Sequence, residues 1–213
     1  MHITRVMLMV WLLVVGGVFE SAVSTTASNL STKLTAPALP DSSLYQLKSD
    51  WVTDTGIKMR LENLQGKVRV LTLFFGHCES SCPMVLANLK TLESSLPQDW
   101  EKRGGIVLVT LDPARDDAES LAGFRKRMSL ASDRWTLLKG QETDTRELAM
   151  ALGVAYRSSK ANGGVEHDAV VVILDDVGRI MKRYEGTVDV KMLIENYLTI
   201  SNSLKSEVPS NRP

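Results

Sequence analysis

The stretch Val68 to Pro83, VRVLTLFFGHCESSCP, decides the fold. Its first half, Val68 to Phe75, is apolar and rich in β-branched residues, the pattern of a buried strand. Its second half holds both cysteines of the chain, Cys78 and Cys82, with three residues between them. After Pro83, the residues Val85, Leu86, Leu89, Leu92 and Leu96 recur at helical spacing, so a helix is predicted over Pro83 to Leu96. The cysteines therefore fall where a buried strand gives way to a helix. Open α/β sheets build their sites at that carboxyl edge. A structural disulfide, a redox couple and a soft-metal site are all open explanations of the pair.

Downstream the same alternation continues. Gly105 to Leu111 (GIVLVTL) reads as a second buried strand. The turn from Asp112 to Asp117 follows, with Asp117 placed to cap a helix that runs to about Met128. Trp135 to Leu138 is a short strand, and Thr143 to Leu152 a helix that Gly153 can end. Ala169 to Leu174 and Arg179 to Tyr184 are hairpin partners across Asp175-Asp176-Val177-Gly178. Val188 to Ile200 closes as a helix. This order predicts an α/β sandwich in which helices flank a central mixed sheet.

The N-terminus reads as a separate segment. Met1 to Arg5 is short and basic, Val6 to Phe19 is unbrokenly apolar, and the small residues Ala22-Val23-Ser24 follow. The apolar run falls short of the roughly 20 residues that span a bilayer. Residues 1–24 are therefore expected to be a secretory signal peptide, with an uncleaved N-terminal anchor as the alternative. No cysteine follows the run, so a lipid-modified N-terminus is not expected. Thr25 to Ser43, rich in Ser, Thr, Ala and Pro, is read as a linker. The folded domain is expected over 44–202, with a flexible tail over 203–213. Export would place the domain in the periplasm, an oxidising compartment, touching the membrane only through an uncleaved N-terminus. Lys+Arg 25 equals Asp+Glu 25, so the chain has no electrostatic footprint for nucleic acid and no basic run for an anionic membrane.

The cysteine alternatives differ physically. A disulfide between Cys78 and Cys82 would close a tiny loop, and in the chain-entropy model such a bridge stabilises little. Reactivity explains the spacing better. With Cys82 in the first helical turn, the positive helix end favours its thiolate, and Pro83 is tolerated there because its missing amide hydrogen is not needed. Of the three histidines, His2 lies in the signal segment and His77 abuts Cys78, where it either lowers that thiol's pKa or covers the sheet edge. His167 follows the pair Gly163-Gly164 and directly precedes the Ala169–Leu174 strand. In a thioredoxin-like sheet, the loop before that strand lies beside the cysteine turn. Two soft thiolates and one imidazole there make a three-coordinate site.

A dithiol reductase on the same fold is the competing reading. Redox thioredoxins use Cys-x-x-Cys, one residue shorter than here, and a cis-proline before the corresponding strand. No proline occurs between Val165 and Asp175. A peroxidatic cysteine needs Thr or Ser and Pro just upstream, and Gly76-His77 provides neither.

The chain resembles the Sco/SenC family of thioredoxin-like copper chaperones. The matching residues are Phe74-Phe75-Gly76, His77-Cys78 with Cys82-Pro83, and Leu108-Val109-Thr110-Leu111-Asp112-Pro113 with Arg115-Asp116. They continue through Trp135-Thr136-Leu137-Leu138-Lys139-Gly140 and from His167 to Leu174-Asp175-Asp176-Val177-Gly178. Within that pattern this chain is divergent, with Glu79-Ser80-Ser81 between the cysteines and Asp168 after His167. The resemblance implies that Cys78, Cys82 and His167 ligate one copper ion. It implies delivery of Cu(I), and of Cu(II) with one further ligand, to the copper-centre subunit of cytochrome c oxidase or another cuproprotein. It also implies that Asp112 is either a supporting acid near the site or a turn former. Met84, the methionine nearest the site, is expected in the core.

Overall fold

The structure is a computed structural model that describes residues 39–76, 82–158 and 165–207, apart from the side chains of residues 82, 158, 166 and 205–207. Seven strands form one mixed sheet, which runs from β2 (Lys58–Arg60) and β1 (Asp50–Thr53) through β5, β4, β3 and β8 to β9 (Ile180–Glu185). Its middle is β3 (Val68–Phe74), β4 (Gly104–Thr110), β5 (Trp135–Lys139) and β8 (Val170–Leu174). β3 pairs in parallel with β4, and β4 with β5, whereas β8 runs antiparallel to β3 in the register Thr72↔Val171. Every residue of β4 and β8 is buried, as expected of strands covered on both faces.

Alternation along these strands separates two cores. Val70, Ile106, Leu108, Leu137, Val171 and Ile173 face one side. There they meet Leu89 and Leu92 of α1 (Cys82–Ser95), Phe124 of α2 (Ala118–Arg127) and Leu193 of α4 (Val190–Glu207). Leu71, Leu73, Val107, Val109, Val172 and Leu174 face the other, against Leu148 and Leu152 and the helix α3 (Glu142–Ala151). The expected sandwich is what forms. Asp117 is the N-cap of α2, its carboxylate accepting from the Ser120 amide at 2.8 Å, and Gly153 ends α3 with φ of 66°.

Four features differ from the sequence reading. A hairpin of β1 (Asp50–Thr53) and β2 (Lys58–Arg60) extends the sheet beyond β5. These strands are short and largely exposed, so alternation is nearly invisible; Trp51, fully buried, is their one anchor. Trp51 packs so closely on Gly140 that a methyl group there would lie 2.8 Å from the indole. The Ser-rich segment read as a linker ends inside the fold. The Ser43 hydroxyl accepts from the Tyr45 amide at 3.0 Å and donates to the Val177 carbonyl at 2.5 Å, tying residues 39–46 to the β8–β9 turn. At the other end α4 continues to Glu207, past the Ser203 at which a tail was expected, because Ile200 and Leu204 still pack on the core. Finally, Met84 is not a core residue. It stands 52% exposed, since the buried stripe of α1 runs through Leu89 and Leu92 and leaves Met84 outside it.

The remaining strands β6 (Tyr156–Ser158) and β7 (Val165–His167) form a separate two-stranded ribbon. Replacing Trp51 by Ala would empty the space that anchors the β1–β2 hairpin. The expected cost is about 3–5 kcal/mol, read as a lowered urea midpoint at unchanged m-value.

Candidate metal centre

The centre is prepared by a carboxylate. β3 ends at Phe74, and two residues on the Gly76 amide donates to Asp116 Oδ2 at 2.9 Å. The Thr110 hydroxyl, at the end of β4, donates to the same oxygen at 2.5 Å. Asp116 is 1% exposed, so this short network works in a low-dielectric setting. One buried carboxylate thus holds the ends of two adjacent strands just before the segment that carries Cys78. Gly76 is needed for the approach, because a Cβ there would sit 2.7 Å from Asp116 Oδ1.

The turn that delivers Asp116 is built by Asp112. The Asp112 carbonyl accepts from the amides of Arg115 (3.1 Å) and Asp116 (2.9 Å), and its own amide donates to Thr110 Oγ1 at 3.0 Å. Its carboxylate is engaged by the Arg115 guanidinium. Of the two roles considered for Asp112, the turn former is the one these contacts describe.

Cys82 is the first residue of α1, as the Pro83 signal implied, so its backbone lies at the positive end of a fourteen-residue helix. The side chain of Cys82, and all of His77 and Cys78, lie outside the described residues.

His167 is described, and it stands where this edge needs it. It is the last residue of β7, opposite Tyr156 of β6. Its ring meets Phe75 edge-on at 6.0 Å between centroids and 76° between planes. It also lines a small apolar hollow with Val85, Leu86 and Leu89, so it faces the early turns of α1. Nδ1 lies 2.9 Å from the Asp168 carbonyl. A carbonyl only accepts, so Nδ1 carries the hydrogen, and in the neutral ring the lone pair is on Nε2. Nε2 is buried and has no hydrogen-bond partner among the described residues. A buried acceptor left unpaired is costly, and an imidazole fixed through Nδ1–H to a backbone carbonyl is the usual arrangement of a metal-ligating histidine. On this ground His167 fits the part of a ligand to a soft cation. Among the described residues alone, no three His, Cys, Asp or Glu side chains converge on a common point.

The sequence places Cys82 at the start of its helix, as observed, but does not single out Asp116 or Thr110. The signal was there in Thr110 at a strand end with Asp116 six residues on, yet nothing in the sequence says which of three neighbouring aspartates turns inward.

A mixed sheet between two helical layers, with its cysteine at the helix start after the central strand, is a thioredoxin-like protein. More narrowly, residues 42–201 match the SCO1/SenC family, and the chain belongs to it. The SCO1 protein homolog of Bacillus subtilis (strain 168) is 25% identical over 134 residues, 62% of this chain and 68% of that protein. Arabidopsis thaliana ScoI, solved with copper bound, superposes with a TM-score of 0.63 at 21% identity, covering 74% of this chain and 96% of that one. BsSco, a member of the Sco family of cytochrome c oxidase assembly proteins in which a disulfide switch is identified, gives a TM-score of 0.61 at 24% identity. That match covers 74% of this chain and 94% of BsSco.

Asp116→Ala would leave the Gly76 amide and Thr110 hydroxyl without their shared acceptor. The expected loss is about 1–3 kcal/mol of stability. Gly76 should also lose amide-exchange protection. Asp116→Asn, which keeps one carbonyl-type oxygen, should retain most of that protection; equal protection in the Ala variant would refute the clamp.

Proposed function

We propose that this protein is an exported copper chaperone that binds one copper ion through Cys78, Cys82 and His167. It would pass that ion to the copper-centre subunit of cytochrome c oxidase or to another cuproprotein. The observation that carries this reading is the His167 imidazole, locked through Nδ1 with its Nε2 lone pair buried and unspent. Family membership supports it, as does the copper held by the Arabidopsis relative. The apolar N-terminal segment supports export, with the periplasm as destination and the segment serving as signal peptide or anchor.

Copper is the cargo, and the residues account for its capture and release. Two thiolates and one imidazole suit Cu(I) in a trigonal site; Cu(II) requires a further ligand. The helix start at Cys82 favours the thiolate, which is the ligating form. In the neutral ring His167 needs no change of tautomer on binding, since Nδ1 holds the hydrogen. Glu79, beside the cysteines in sequence, favours a cation and disfavours the thiolate.

Cys78→Ser or Cys82→Ser should abolish tight Cu(I) binding by the reduced protein, because each removes one soft ligand. Oxidation of the pair should block uptake, since a disulfide sulfur carries no thiolate charge. His167→Ala distinguishes chaperone from reductase. It should weaken copper retention more than about tenfold, equivalent to about 1.4 kcal/mol, while leaving reduction of a model disulfide largely intact. Competition with a Cu(I) chelator, repeated with Cu(II), makes the measurement. Equal retention by wild type and His167→Ala would favour a dithiol reductase.

A further inference from the structure

A second concave surface adjoins the proposed copper site without belonging to it. It is a groove of about 210 Å³ between α1 and α2, floored by Leu86, Phe124 and Met128. Pro83, the residue after Cys82, forms one rim together with Ala87, and both are exposed. Phe75 closes the end nearest the site, and its ring also meets His167. The groove and the proposed copper ligand therefore share a wall.

Charge around the groove is one-sided. The chain as a whole is neutral, with 25 basic and 25 acidic residues. Yet Lys90 lines the groove, the Arg127 guanidinium lies 5.9 Å from the Phe124 ring centroid, and no carboxylate lines it among the described residues. Neither cation has an ion-pair partner among those residues. Neighbouring charges are already engaged: Arg125 holds Asp54, and Glu93 accepts from Trp135 Nε1 and pairs with Arg134. An apolar floor under unneutralised cations complements one kind of occupant, a large apolar side chain flanked by carboxylates.

We infer that this groove is where the acceptor polypeptide docks, through an apolar anchor residue set between acidic residues on an extended segment. The inference rests on the chaperone reading for the word acceptor. The groove's chemistry rests on its own residues. Docking there would bring the acceptor alongside Pro83 and hence the Cys82 end of α1. Affinity would come from the buried anchor, and encounter rate from Lys90 and Arg127.

The test uses two peptides on the reduced full-length protein, acetyl-Asp-Glu-Leu-Phe-Glu-Asp-amide and its counterpart with lysines in the acidic positions. Backbone amide shifts are followed by NMR. The acidic peptide should give saturable shifts centred on Ala87, Lys90, Phe124 and Met128, and the lysine peptide should bind about tenfold or more weakly. Ala87→Glu and Lys90→Glu should each weaken the acidic peptide by a similar factor while copper retention and thermal midpoint stay at wild-type values. Shifts centred elsewhere, equal binding of both peptides, or unchanged binding by both variants would overturn the proposal. So would self-association in sedimentation that Ala87→Glu abolishes, since a second copy would then be the occupant. A wild-type protein that retains no copper yet binds the acidic peptide in this way would sink the chaperone reading and uphold the docking surface.

Discussion

The site edge of this protein depends on one oxygen, Asp116 Oδ2, which accepts from the Gly76 amide and from the Thr110 hydroxyl. Parallel strands β3 and β4 end there, and the ladder between them has no further residues with which to hold the chain leaving β3. A buried carboxylate taking charge-assisted hydrogen bonds continues that hold where regular pairing stops. The Leu111 amide, donating to the Phe74 carbonyl at 2.7 Å, does the same from the other direction. The geometry is unforgiving, since Gly76 has no space for a methyl group. Phe75 is thereby fixed between Phe74 and Gly76, and Phe75 is the ring that both His167 and the α1–α2 groove rest on.

How far this was legible in the sequence follows from what each element is stabilised by. β3, β4 and β8 are buried on both faces, so their apolar runs announced them, and Asp117 announced the start of α2 by its own side-chain chemistry. The β1–β2 hairpin rests on a single buried Trp51 among partly or fully exposed neighbours, and one residue makes no period. Ser43 belongs to a segment whose composition reads as linker, yet its hydroxyl donates to the Val177 carbonyl far along the chain. Nothing local encodes that partnership. Met84 fell outside the core because helical phase, not hydrophobicity, decides burial; the stripe through Leu89 and Leu92 excludes it.

In the candidate centre the division is similar. Residue types and order pointed to Cys78, Cys82 and His167, and the start of α1 at Cys82 agrees with the Pro83 signal. The tautomer of His167 was beyond reach, because it is set by a carbonyl whose direction depends on the backbone after β7. So was the role of each aspartate in the turn from Asp112 to Asp117. Asp112 shapes the turn and holds Arg115, Asp116 turns inward, and Asp117 caps α2. Three chemically identical side chains do three different jobs, separated only by backbone geometry.

The proposed ligands also depend on long-range pairing. Cys78 and Cys82 follow β3, His167 precedes β8, and the two strands are antiparallel neighbours in the register Thr72↔Val171. The end of β3 and the start of β8 therefore lie at the same edge, and the Thr72 hydroxyl, donating to the Val170 carbonyl at 2.7 Å, ties them one step inside it. These strand ends, distant in sequence, become neighbours only once the central sheet has closed. If these residues are the ligands, the set would exist in the folded chain and not in the unfolded one, and cargo bound there would stabilise the native state by mass action. On the chaperone reading, release would then require a competing acceptor or oxidation of the thiols rather than unfolding. An exposed apolar rim beside Pro83 is consistent with the first of these, because exchange between two proteins needs the acceptor's ligands to reach the metal before the donor's have let go.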